Sequence, residues 1–315
     1  MPRICDYEGS QYRTDFWEGQ NRSYEDAVER VAMQKMLPPS GHRLVEIGGG
    51  FGRLVDLYQG YSQIVLTDYA RTQLEEAQDY LGQDPRLIYV VADVYNLPFV
   101  DNLFDALTMV RVMHHLVDVP SALAEIYRIV VPQGTTVIEH ASKFHLKSLL
   151  RWFLGQQAWS PFDPAPLEFV ELNFDFYPAW MREQFEKAGL RIENVRTLSH
   201  YRLDLLKRTI PTSLLVKLDS WAQPSGNWWQ LTPSIFLQAQ AHKLNQPFAT
   251  GFFRCPTCKF SHLILTEIDS IEGQVFVCAR CRHGWSYRDG IYDFKTPLIL
   301  DTDTVAAVRN DGIIP

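Results

Sequence analysis

Apolar residues in the first half of this chain come in short blocks that close on an acid or a glycine. Leu44-Val45-Glu46-Ile47, Ile64-Val65-Leu66-Thr67-Asp68, Leu87-Ile88-Tyr89-Val90-Val91-Ala92-Asp93 and Phe104-Asp105-Ala106-Leu107-Thr108-Met109-Val110 are rich in β-branched and aromatic side chains. Runs of this length predict strands buried on both faces, and the polar, helix-compatible stretches between them predict crossover helices of an α/β sheet. A fifth block, from Glu125-Ile126-Tyr127-Arg128 to Pro132-Gln133-Gly134-Thr135, reads as helix, turn and strand. Beyond it, Tyr177-Pro178 to Gly189-Leu190 predicts a helix with a glycine stop, followed by strands over 192–198 and 235–241.

The first block breaks into Gly48-Gly49-Gly50-Phe51-Gly52-Arg53, and a helix-like stretch is expected over 52–58. Glycines at this spacing let the backbone take positive φ and a ligand lie directly on it, so the segment predicts a strand–loop–helix nucleotide cradle. A dinucleotide fingerprint would need a third small residue where Arg53 stands, which weakens a nicotinamide or flavin reading.

Glu46-Ile47-Gly48-Gly49-Gly50-Phe51-Gly52 resembles the first motif of the class I S-adenosylmethionine-dependent methyltransferases. Asp68, the Asp93…Asn96-Leu97-Pro98-Phe99 stretch, Arg111-Val112-Met113-His114-His115-Leu116 and the Pro132–Gly134 turn resemble the motifs that follow it, in order. The resemblance implies a seven-stranded Rossmann-like methyltransferase sheet with helices on both faces, over about residues 1–246. It also implies cofactor contacts from Glu46, Gly48, Gly49, Gly50, Gly52, Asp68, Tyr69, Asp93, Val94 and Arg111. Glu46 is expected near the methionine amino group, Asp68 on the ribose hydroxyls, Tyr69 beside the adenine and Asp93 on its amino group. Each acid also has a plainer role available, since an acid after a strand caps the turn or helix that follows.

Arg111, His114 and His115 fall where this family places groups near the transferring methyl. A histidine there can deprotonate a hydroxyl or enol at neutral pH, though the same pair also serves such folds as a packing and capping element. No Asn/Asp-Pro-Pro-Tyr stands at this position, which argues against adenine or glutamine nitrogen as the acceptor.

The five cysteines change the picture of the C-terminal part. Cys255-Pro256-Thr257-Cys258 and Cys278-Ala279-Arg280-Cys281 are two short knuckles whose spacing suits one tetrahedral, structural zinc, and only Cys5 stands apart. The run His283-Gly284-Trp285-Ser286-Tyr287-Arg288-Asp289-Gly290-Ile291 resembles the zinc-ribbon proteins that activate methyltransferases of tRNA and translation factors. A ribbon domain and tail are therefore expected over 247–315, as a unit whose unfolding leaves cofactor binding by 1–246 largely intact. A protein partner acting through the ribbon is a further expectation.

Composition narrows the acceptor. With a net charge of −7, the 315-residue chain shows no extended cationic track, so nucleic acid is not favoured. Residues 1–6 lack a signal-peptide core and no run is long enough to span a membrane, so a cytoplasmic location is expected. The aromatic excess lies outside the cofactor motifs: Tyr7, Tyr12, Phe16, Trp17 and Tyr24 on an N-terminal arm, Trp152 in an insertion over about 141–177, and Trp221, Trp228 and Trp229 in another over 200–230. These segments are expected to form a lid over a small, apolar or aromatic methyl acceptor. A tRNA or protein acceptor, or a scaffold that binds the cofactor without turnover, is the alternative.

Overall fold

The computed structural model describes residues 2–244, 250–268 and 271–300. The expected domain boundary at 246/247, Met1 and the tail over 301–315 lie outside the described residues. The N-terminal arm forms α1 (Tyr12–Phe16) and α2 (Ser23–Met36), and the expected strands follow as β1 (Gly41–Ile47), β2 (Tyr61–Asp68), β3 (Leu87–Val91), β4 (Phe104–Met109) and β5 (Val130–Ala141). Between them lie α3 (Arg71–Leu81) and α4 (Val119–Ile129). The insertion after β5 contains α5 (Leu146–Phe153) and the hairpin β6 (Leu167–Val170) and β7 (Asn173–Asp175). It leads into α6 (Pro178–Lys187), β8 (Leu190–Leu198), α7 (Asp204–Thr209), α8 (Thr212–Ala222) and β9 (Ser234–Ala241). The ribbon supplies β10 (Leu263–Glu267), β11 (Gln274–Cys278), β12 (His283–Arg288) and β13 (Ile291–Ile299).

Two expectations need correction. The stretch over 52–58 is not an α-helix: it is a run of turns ending in a 3₁₀ turn at Val55–Leu57. Only eight residues separate Gly52 from the start of β2 at Tyr61, which leaves no room for a crossover helix. The second concerns the sheet, which has eleven strands in the order β10-β11-β12-β13-β3-β2-β1-β4-β5-β9-β8. The seven expected strands form its larger part, with only β9 antiparallel to its neighbours β5 and β8. The other four come from the ribbon, because β13 pairs in parallel with β3 through Ile291 opposite Tyr89, Tyr292 opposite Val90 and Asp293 opposite Val91. An open β3 edge would present unpaired backbone groups to solvent, and the ribbon closes it.

The seam is also apolar. Phe252 and Phe253 are buried against Phe99 and Phe104, with Phe276, Trp285 and Phe294 completing one core that runs from the methyltransferase-like sheet into the ribbon. Backbone bonds reinforce it, from Val100 N–H to the Phe252 carbonyl (3.1 Å) and from Arg254 N–H to the Pro98 carbonyl (2.7 Å). At the other end, α7 and α8 dock on α2 through Leu206, Leu215 and Val216 and through polar contacts. The buried Tyr24 hydroxyl donates to Asp219 (2.6 Å), and Lys207 pairs with Glu25 (3.0 Å).

Candidate active site

The ends of β1, β2, β3 and β4 converge on a cleft of about 790 Å³, counted to its mouth, between the glycine loop and the N-terminal arm. Its walls hold Gly48, Gly50, Asp68, Tyr69, Asp93, Val94, Arg111 and His115, with Ile4, Cys5, Tyr7 and Tyr12 from the arm as a roof. A second recess shares Tyr12, Gly48, Gly50 and Arg111 with it and adds Trp17, Glu46 and Gly49. The residues expected from sequence to contact a cofactor are therefore brought to one place, apart from Gly52, which lines neither part.

The glycine loop is built partly for its own packing. A Cβ on Gly48 would lie 2.1 Å from Val112 Cγ2, and the backbone there has φ +68°. At Gly50, also at positive φ, a Cβ would meet only the Tyr12 ring at 3.8 Å, so this is the loop glycine that opens onto the cleft. Asp68 holds the loop: Oδ2 accepts from Gly50 N–H (2.9 Å) and Oδ1 from Ala70 N–H (3.0 Å). A carboxylate offers about four acceptor sites, so a tether to the backbone and a ligand contact are compatible. Burial raises the Asp68 pKa against the pull of those backbone donors. Asp93 likewise caps the short turn at Val94–Asn96, accepting from Tyr95 N–H (2.9 Å) through one oxygen.

Glu46 is unusual. It is buried at the end of β1, and burial pushes its pKa up to about 8 against the opposing hydrogen bond from Tyr58 and the charge of Arg53. Its Oε2 has no hydrogen-bond partner, although buried acceptors rarely go unpaired. A cationic donor entering the recess would satisfy that oxygen.

Arg111 follows β4 at φ +60°, and it and Arg53 are the only Arg or Lys among the described residues lining either part. Both guanidiniums bind Glu29 of α2, Arg53 at 2.7 Å, and both face the Trp17 ring. Burial opposes the charge of Arg111, but Glu29 and Glu139 outweigh it and raise its pKa. His115 is fixed in one tautomer. Its Nδ1 lies 2.8 Å from the Leu172 carbonyl, which only accepts, so Nδ1 carries the proton and Nε2 accepts from the Tyr7 hydroxyl (3.2 Å). Burial lowers its pKa, which keeps the ring neutral near pH 7. His114 packs on it with ring centroids 4.0 Å apart, does not line the cleft, and is held neutral even more strongly by burial.

The tryptophans of the two insertions do not cover this cleft. Trp152 packs on Phe153 and Phe162, and Trp228 is exposed elsewhere on the surface; of the expected lid, the N-terminal arm lies over the site and the first insertion reaches it through the Leu172 carbonyl on His115. Three functional-site neighbours were not anticipated: Glu29, Tyr7 as the partner of His115, and Lys295. Glu29 had a signal, since Glu25 and Glu29 fall in helical phase with the buried Ala32, Met33 and Met36. Lys295, from β13, lies 4.1 Å from the Tyr69 ring and 2.8 Å from Asp6 of the arm. No local pattern could have reported that contact.

In the ribbon, the four knuckle sulfurs lie within 4.8 Å of one another, with Cys255–Cys281 and Cys258–Cys278 each at 3.5 Å. A zinc with bonds of about 2.3 Å sets tetrahedral sulfurs about 3.8 Å apart, so the donor set and its spacing fit that ion. His283 Nδ1 approaches Cys281 Sγ (3.3 Å) from outside the cluster.

A family model described as a methyltransferase domain matches residues 45–138. The chain is 31% identical to the demethylmenaquinone methyltransferase of Clavibacter sepedonicus over 64% of its own length and 82% of that protein. It is 32% identical to the ubiquinone/menaquinone biosynthesis C-methyltransferase UbiE of Saccharophagus degradans over 33% of its length and 45% of that relative. Among solved structures, a chain of the complex between the Haloferax volcanii Trm112 methyltransferase activator and a methyltransferase superposes with a TM-score of 0.51 at 20% identity. The match covers 74% of this chain and 98% of that one, and it shows a shared fold. No helix among the described residues is long and apolar enough to cross a membrane. With the ordered motifs, the fold and the cleft on one site, the chain belongs to the class I S-adenosylmethionine-dependent methyltransferases, in the branch that holds the quinone-biosynthesis enzymes.

Proposed function

We propose that this methyltransferase acts on a small, largely apolar aromatic acceptor of the hydroxyquinone or quinol type, and that carbon is methylated. The observation that carries the reading is the cleft itself. It is roofed by Ile4, Cys5, Tyr7 and Tyr12, and the one Arg or Lys among its described lining residues, Arg111, is already paired with Glu29, which suits an apolar acceptor better than RNA. The quinone-biosynthesis relatives supply the chemical class.

When bound, the cofactor supplies an activated methyl on a sulfonium, so the protein has to position the acceptor and manage a proton. Glu46 would take the methionine ammonium on its unpartnered Oε2, and Arg111 the carboxylate. Asp68 would take the ribose hydroxyls, with Tyr69 and Val94 on the adenine and Asp93 on its amino group. His115 Nε2 would accept the proton of an acceptor hydroxyl in place of the Tyr7 bond, raising electron density on the ring carbon; His114 would act only by holding His115. The ring proton displaced by the new C–CH₃ bond would leave to water.

In the same reading, Cys255, Cys258, Cys278 and Cys281 hold a structural zinc, and the ribbon serves this chain's own catalytic unit. The parallel pairing of β13 with β3 supports that choice, because the ribbon edge facing β3 is occupied within the chain. The test is transfer of labelled methyl from S-adenosylmethionine to reduced demethylated quinones, to a lipid extract and to total RNA. Label in the quinol and lipid fractions is expected. Label confined to RNA or protein would overturn the acceptor class.

A further inference from the structure

Away from the cleft, one region of the molecule carries apolar side chains that no described residue covers. Helix α5 is inside out. Its one buried residue is Ser148, while Leu146, Leu150 and Phe153, at i, i+4 and i+7, form an exposed stripe with Phe153 at 70% exposure. Helix α8 buries Leu215 and Asp219 but carries a second outward stripe, Leu214, Leu218 and Trp221, with Trp221 at 85% exposure. Trp228 follows at 79%. The pieces are connected: Leu146 N–H donates to the Leu231 carbonyl (3.0 Å), joining α5 to the segment that carries Trp228. Arg202, just before α7, acts together with Lys147 and Arg151 on His145, the N-cap of α5, and after burial these charges help to lower its pKa.

Exposed apolar surface on this scale marks an interaction site, and the charge around it indicates with what. Residues 145–154 and 199–231 carry six Lys and Arg against two Asp, in a chain whose net charge is −7. Of the two acids, Asp219 is buried against Tyr24. Lys147, Arg151, Arg208 and Lys217 are exposed and form no ion pair among the described residues. A second copy of this chain would bring the same cations to the contact, and like charges would oppose that pairing. Leucine, phenylalanine and tryptophan interleaved with Lys and Arg on short helices suit the boundary of an anionic bilayer, where apolar side chains enter between headgroups and cations meet lipid phosphates.

We propose that this face, built from α5, α7, α8 and the Trp228 segment, docks the enzyme peripherally on an anionic phospholipid surface. The docking goes beyond the acceptor reading and does not depend on it. A link to the cleft is nevertheless visible. The hairpin β6–β7 exposes Phe169 and Val170, and the Leu172 carbonyl in its turn holds His115.

The test is co-sedimentation of the full chain with vesicles of roughly one part phosphatidylglycerol to two of phosphatidylcholine, against pure phosphatidylcholine, with tryptophan emission followed in parallel. Partition at least about tenfold stronger onto the anionic vesicles, a blue shift, and loss of most binding at about 0.5 M salt are expected. The Leu150→Glu, Phe153→Glu double variant should bind at least about tenfold more weakly. Both residues are exposed, so its melting temperature and S-adenosylhomocysteine affinity should match the parent's. Equal partition onto both vesicle types, or none, would overturn the proposal. So would a dimer at low salt that the same substitutions abolish while vesicle binding is absent.

Discussion

The two edges of the central sheet treat the same kind of sequence in opposite ways. Both the ribbon and the insertions beside β8 are rich in large apolar residues. At the β3 edge, Phe252, Phe253, Phe276 and Trp285 are buried in a seam shared with Phe99 and Phe104. At the far end, Phe153, Trp221, Trp228 and Trp229 remain on the surface. The difference lies in what surrounds the aromatics. The ribbon places Phe276 and Trp285 on strands paired into the sheet, where alternation turns them to one core face, and backbone bonds to Phe99 and Val100 hold the segment of Phe252 and Phe253 against it. The insertions place Phe153 and Trp221 on the outer faces of short helices and Trp228 and Trp229 in the segment that follows; the inner faces of α7 and α8 are filled by Leu206, Leu215 and Val216 beside the polar pairs Tyr24–Asp219 and Glu25–Lys207, which leaves these aromatics outward. Aromatic content alone distinguishes neither a core nor a lid.

The largest effect should come from breaking the buried edge. If the ribbon were an independent appendage, Cys278→Ser would unfold it and leave cofactor binding alone. A shared sheet and core predict instead that the ribbon and the cofactor site lose structure in one cooperative transition. Far-UV dichroism and S-adenosylhomocysteine titration on the variant measure this, and full affinity beside a melted ribbon would show two separable units. The milder Phe253→Ala should cost about 3–5 kcal/mol in urea unfolding, as for a fully buried aromatic.

The cofactor edge was largely legible from sequence and the ribbon seam was not, for a physical reason. Glu46, Asp68 and Asp93 each end a strand at a local chain break, so spacing alone places them together at one end of a parallel sheet. The β13–β3 pairing joins residues some two hundred positions apart, and neither strand carries a local mark of its partner. The 52–58 helix failed because its residue types permit a helix while the chain length to β2 does not. The lid expectation for Trp152 and Trp228 rests on aromatic content and on where the insertions leave the fold, and neither says which way a side chain points.

A smaller effect sharpens the cofactor side. With its pKa pushed up to about 8 by burial, Glu46 is mostly protonated at pH 7 in the free protein. The unfolded chain ionises it near its ordinary value of 4.5, so this group makes the free protein less stable as pH rises from there to about 8. An ammonium beside Oε2 would draw the proton off, so binding should release up to one proton at pH 7, and affinity should climb with pH towards about 8. Calorimetry in buffers of different ionisation enthalpy reads the proton count directly. Glu46→Gln should abolish the release and weaken binding by roughly 1.5–3 kcal/mol. Proton release unchanged in that variant would remove Glu46 from the ammonium site.

Lys295 tests whether the buried edge reaches the cleft by more than scaffolding. It bridges Asp6 of the roofing arm and the Tyr69 ring from the ribbon strand. Because its ammonium is partly exposed, Lys295→Ala should cost only about 0.5–1 kcal/mol in cofactor affinity. The loss should appear mainly as faster dissociation in stopped-flow, since the arm that roofs the cleft loses one tie. An unchanged dissociation rate would leave the ribbon a purely structural role.

The smallest effect is expected where the sequence looks most apolar. Trp228→Ser removes a tryptophan, the largest kind of side chain, but one that is 79% exposed and packs against little. Area burial scales the stability a side chain contributes, so the change should lie within about 0.5 kcal/mol in urea unfolding, against several for Phe253→Ala at the other edge. Cofactor affinity should not move, because Trp228 lines neither part of the cleft. A loss of more than about 2 kcal/mol would mean that this tryptophan is buried in the folded protein in solution, and the contrast between the two edges would fail at that residue.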